Sequence, residues 1–109
     1  MGGSTEYVHK IAFRVAINYI VGMPSIVTLI SGRGSNFEAI VKTAQKEHWP
    51  VTFAGVIANH SAARGLDFAR SQGIPAFAIE HKEHSTRESF DAALIKQIDA
   101  LGADLVVLA

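Results

Sequence analysis

The segment Ser31-Gly32-Arg33-Gly34-Ser35-Asn36 lies between a short β-branched run and a helix-like stretch, and it carries the clearest chemistry in the chain. Glycines let a backbone turn tightly and come close to a ligand. The start of the helix that follows offers unpaired N–H groups and the positive end of a dipole, which suit a phosphate. Ser35 and Asn36 add side-chain donors, and Arg33 adds a charge. The spacing predicts an anion site at this turn. The plainer reading is a tight turn in which Ser35 serves only as a helix cap.

The kind of phosphate ligand is narrowed by what surrounds the turn. A dinucleotide fingerprint would place a third glycine where Phe37 stands and an acidic residue at the end of the second strand. That strand ends instead at Asn59 and His60. No Gly-Lys-Ser/Thr follows the turn, so the Walker pattern is absent. A phospho-receiver domain would need an acidic cluster after the first strand and an aspartate after the third, and neither is present. A mononucleotide-like phosphate fits best.

Other candidates are weaker. Arg87 opens a helix, where a cation opposes the dipole by about 0.3–1 kcal/mol, and that local conflict favours a ligand role. The plainer alternative is an exposed Arg87–Asp91 pair at i,i+4. His81 and His84 share a loop with Glu80 and Glu83, but no helix or strand fixes their spacing for a metal, so a solvated loop is expected. His9, His48 and His60 are isolated, and surface or capping roles suffice for them. Trp49 beside Pro50 reads as a packing residue at a helix end. No two carboxylates are paired for acid–base work.

The elements that must position these residues are regularly punctuated from Pro24 onward. Ser25–Ile30 is the first strand. A helix follows from near Asn36, where Ser35 and Glu38 have capping-box spacing and Phe37, Ile40, Val41 and Ala44 recur at helical intervals. It ends by His48, because Pro50 holds Trp49 in extended geometry. Val51–Ala58 is the second strand and Ala62–Ser71 the second helix, stopped at Gly73. Ala76–Ile79 is a short third strand. The loop Glu80–Ser85 leads to a third helix, which carries Phe90, Leu94, Ile98 and Leu101 and ends at Gly102. Asp104–Ala109 forms a fourth strand. This alternation predicts a doubly wound α/β domain with a mainly parallel sheet, Rossmann-like in its winding.

Composition agrees with that reading. The chain has 109 residues, 49% of them hydrophobic and 18% charged, which excludes a disordered or solvating chain. Ten basic and ten acidic residues cancel, so nothing favours a nucleic-acid backbone. No cysteine is present, which removes disulfide scaffolds, zinc knuckles and thiol nucleophiles. The longest apolar stretch, Val15–Ile30, is interrupted by Asn18, Gly22, Pro24, Ser25 and Thr28 and falls short of a bilayer span. No membrane partner, no metal and a cytoplasmic location are expected.

Four ordered blocks resemble the phosphoribosylglycinamide formyltransferase family. They are Ile26–Asn36 with Glu38-Ala39-Ile40, then Val56-Ile57-Ala58-Asn59 with Gly65-Leu66 and Ala69-Arg70, then Ser85–Asp91, and finally Asp104–Ala109. The resemblance covers residues 23–109. It implies transfer of a formyl group from 10-formyltetrahydrofolate to the amine of glycinamide ribonucleotide in purine biosynthesis. By the same resemblance, Gly34, Ser35 and Asn36 hold the ribonucleotide phosphate. Arg87 and Leu108 belong to the folate side. The family's catalytic asparagine, histidine and aspartate are expected beyond Ala109.

Two ends stand apart. Residues 1–22 match nothing in the family, and Ile11–Ile20 fits both a strand and a helix period, so this stretch is expected to be a non-family extension. The chain stops at the end of a buried-type strand, truncated after about the fourth. The expectation is therefore an N-terminal fragment that needs a C-terminal half for activity. A non-catalytic nucleotide or sugar-phosphate binding module is the alternative.

Overall fold

The structure, a computed structural model, describes residues 23–31 and 34–109. The extension 1–22, together with Gly32 and Arg33 of the turn, lies outside the described residues. The rest alternates strand and helix as the sequence predicts. The strands are β1 (Ser25–Ile30), β2 (Thr52–Ala58), β3 (Ala76–Ala78) and β4 (Leu105–Leu108). The helices are α1 (Ser35–Glu47), α2 (Arg64–Ser71) and α3 (Arg87–Ala100), with a 3-10 turn at His81–Glu83 before α3.

The strands form one four-stranded sheet in the order β3-β2-β1-β4. Every pairing is parallel. β1 is therefore central, and apart from Thr28 its buried side chains are apolar. Ile30 packs with Phe37, Val41, Val56, Leu66 and Ala69 beneath α1 and α2. Val27 packs with Ile57 and Ile98 on the other side, with Leu29, Leu94, Leu101 and Val106 against them under α3. Phe37 is fully buried and meets Phe68 of α2 edge to face at 5.8 Å, which locks the two helices on one layer.

The start of α1 differs from the capping box read in the sequence. Gly34 occupies the N-cap position in the left-handed region, φ 69°, with no side-chain cap. Ser35 is already the first helical residue and is exposed, so its hydroxyl does not fold back over the turn. Glu38 reaches forward instead, to Lys42 at 2.7 Å. The cap that the sequence assigned to α1 is found at α3, where the Thr86 hydroxyl accepts from Ser89 N–H at 3.1 Å. Thr86→Ala should therefore cost about 1 kcal/mol in chemical denaturation. Ser35→Ala should stay within about 0.5 kcal/mol, as a surface change does.

The other end of α1 is as expected. His48 caps it in the left-handed region, φ 55°, with its N–H donating to Ala44 O.

Candidate functional site

β1, β2 and β3 step one way across the sheet, and β4 returns to the far side of β1. Such a reversal opens a crevice at the carboxyl ends of the strands, where open α/β sheets bind ligands. A cavity of about 320 Å³ lies there. Leu29, Ile57, Phe90, Leu94 and Leu108 supply its apolar walls, while Ser31, Asn59, His81 and Arg87 supply polar groups. Its shape follows from the chain: α3 is anchored at Ile98 and leaves Phe90 and Leu94 over the ends of β1 and β2.

The sequence-derived residues divide into two groups. Arg87 and Leu108 both line the cavity, from the first turn of α3 and the end of β4. Gly34, Ser35 and Asn36 lie outside its walls, at the start of α1, which covers the opposite face of the sheet from α3. Ser31 follows the last residue of β1 and lines the cavity. The arrangement sets a glycine-entered helix start beside a separate, mostly apolar cavity.

Gly34 is fixed by more than turn geometry. A Cβ at that position would stand 2.8 Å from Gly65 Cα and 3.3 Å from Ile30 Cδ1. Gly65 is equally constrained, since its own Cβ would collide with the Ile30 side chain. The two glycines let the starts of α1 and α2 meet backbone to backbone over the end of β1.

Arg87 makes the i,i+4 contact with Asp91, but loosely, at 3.7 Å. The side chain is 84% exposed, so such a pair adds little stability and leaves the guanidinium available to an anion. His81 and His84 do not gather around a metal position. Among the described residues no group of three or more His, Cys, Asp or Glu could hold one. Both rings instead contact Phe90, at 4.9 Å and 5.8 Å between centroids, and His84 Nδ1 lies 2.8 Å from Ser89 Oγ. The loop read as merely solvated thus contributes a wall. Asn59, His81 and Phe90 were not singled out by sequence reasoning as cavity residues. For Asn59 the available signal was its place at the end of the second strand, where dinucleotide folds put an acidic residue.

The rim is tied together by Glu80, whose Oε1 accepts from Ser61 N–H at 2.8 Å. That bond, aided by nearby Lys82 and His60, lowers the Glu80 carboxyl below its ordinary value. A carboxylate lowered by folding stabilises the fold above its unfolded value, about 4.3, and loses that contribution as pH falls through the folded value. The Ser61 amide resonance should therefore titrate below the ordinary glutamate midpoint, and Glu80→Gln should abolish that titration.

Among the described residues no helix is long and apolar enough to cross a membrane. A family model for formyl transferases matches residues 24–109. The chain belongs to the formyl transferase family. It is 39% identical over 85 residues to phosphoribosylglycinamide formyltransferase of Escherichia coli (strain K12), covering 78% of this chain and 40% of that protein. The enzyme of the same name from Bacillus subtilis (strain 168) is 33% identical over 87 residues, with 80% and 45% covered. Among solved structures, glycinamide ribonucleotide transformylase 1 from Symbiobacterium toebii superposes with a TM-score of 0.75 at 39% identity, covering 80% of this chain and 41% of that one. The resemblance to phosphoribosylglycinamide formyltransferases, over their N-terminal part, is thus borne out, as is the α/β sheet. This formyl transferase chain spans less than half the length of these relatives.

Proposed function

We propose that this chain is the substrate-positioning part of a phosphoribosylglycinamide formyltransferase. In this reading the amine of glycinamide ribonucleotide takes a formyl group from 10-formyltetrahydrofolate, as a step of purine biosynthesis in the cytoplasm. The observation that carries it is the pairing of a glycine-entered helix start with a neighbouring apolar cavity that has one exposed arginine at its edge. A phosphate and a folate are ligands of just those two kinds. Gly34, Ser35 and Asn36 hold the phosphate at the start of α1, where backbone N–H groups and the dipole favour an anion. Arg87 takes a carboxylate of the folate, and Leu108 packs on its apolar body.

The chemical step makes demands that these residues do not meet. The amine attacks the formyl carbon, a tetrahedral oxyanion forms, the carbon–nitrogen bond to the folate breaks, and the proton shed by the amine passes to the departing folate nitrogen. That sequence needs donors aimed at the oxyanion and a group to carry the proton. The proposal leaves those roles to the asparagine, histidine and aspartate of a C-terminal half. The matched region begins at Pro24, which supports treating residues 1–22 as outside the family domain.

Titration with glycinamide ribonucleotide, followed through backbone amide shifts, tests the phosphate position. Shifts should concentrate at Gly34, Ser35 and Asn36. Asn36→Ala should weaken binding about fivefold to tenfold by removing one donor, with stability unchanged because Asn36 is exposed. Saturation without shifts at these three amides would refute the assignment.

A further inference from the structure

Among the described residues that line the cavity, Asn59 is the one with a buried side-chain polar atom left without a partner. Asn59 follows the last residue of β2, on the face that carries Ile57, and lines the cavity. Its Oδ1 is buried and has no hydrogen-bond partner among the described residues. Its backbone is held, since Asn59 O accepts from His81 N–H at 3.1 Å. A buried acceptor left unpaired weakens a fold, and native structures rarely keep one without a reason.

The cavity itself supplies a reason. Leu29, Ile57, Phe90, Leu94 and Leu108 give a ligand affinity but little orientation, which in apolar sites comes from a few placed polar groups. Arg87 is one such group, at the edge. We infer that Asn59 Oδ1 is a second, accepting a hydrogen bond from an N–H donor of the ligand that fills the cavity. This rests on the folate reading above, which makes that ligand both N–H-bearing and anionic. An amide suits such a ligand better than the acidic residue that dinucleotide folds place after the second strand. It accepts a hydrogen bond without repelling the folate carboxylates. Folic acid has N–H donors on its pterin, at the bridging amine and at the amide joining its benzoyl ring to glutamate, and all share this chemistry.

The test is calorimetric titration of the 109-residue chain and its Asn59→Leu and Asn59→Ala variants with folic acid, beside thermal unfolding without ligand. Both variants should bind about tenfold more weakly, the loss expected for one buried hydrogen bond. Their unfolding midpoints should hold or rise, because no internal bond of Oδ1 is removed. Repeating the titration with 4-aminobenzoyl-glutamate locates the donor. An equal loss assigns a donor on the aminobenzoyl-glutamate half, and a loss confined to folic acid assigns the pterin. Unchanged affinity in both variants overturns the inference and leaves the folate reading standing, and so does a fall in midpoint that accompanies the weaker binding. A wild-type chain that does not bind folic acid overturns both.

Discussion

Gly34→Ala should destabilise the domain by about 2–5 kcal/mol in urea denaturation with no ligand present. Two costs combine. Position 34 sits at φ 69°, where an L side chain costs about 1–2 kcal/mol. The new Cβ would also stand 2.8 Å from Gly65 Cα, a backbone atom that cannot rotate away. Relief requires α1 to lift from α2, which would loosen Phe37 against Phe68. A loss under about 1 kcal/mol would mean that α1 shifts freely and that the glycine contact is incidental. The consequence for function is direct. Weak phosphate binding by Gly34→Ala would report a displaced helix as much as a blocked ligand, so Asn36→Ala is the cleaner probe of the anion position.

The sequence was most legible where a local rule and the tertiary packing agree. β-branched runs became parallel strands, and Pro50, Gly73 and Gly102 fall just past the helices they were read as ending. The passage from β1 into α1 was legible because a β-branched run, a glycine-containing turn and an apolar helical period follow one another. Two things were not. Ser35 and Glu38 have capping-box spacing, but the chain enters α1 through left-handed Gly34, pressed against Gly65 some thirty residues on, and no local pattern encodes that contact. The cavity wall was also hidden. His81, Asn59 and Phe90 come from three different segments and meet because β2 lies beside β1 while α3 returns across the same face. Periodicity identified Phe90 as apolar, yet only the sheet order shows that it covers a strand end rather than a core.

Asp104→Ala should cost about 2–3 kcal/mol and should act first on β4. Asp104 is 1% exposed, and its Oδ2 accepts from Ser25 N–H at 2.8 Å. Its own N–H donates to Ser25 O at 2.8 Å, so the two residues clasp the beginnings of β1 and β4. Alanine keeps the second bond and removes the first, leaving the Ser25 N–H without its side-chain acceptor. Asp104→Asn retains an acceptor oxygen and should cost less. β4 is where the loss should appear, because among the described residues β1 is its one strand neighbour. The Ala109 amide, which donates to Leu29 O at 3.0 Å, is the natural reporter. It should exchange with solvent faster in the alanine variant, while Val56 and Ile57 in β2 keep their protection, the pattern of a local opening. Equal acceleration at all of these amides would instead mean that β4 opens only with the whole sheet. The distinction matters for the cavity, because β4 carries Leu108 to its wall. If β4 opens alone, folic acid should bind the alanine variant more weakly and should restore the Ala109 protection in proportion to its occupancy, coupling the far end of the strand to the ligand through the strand itself.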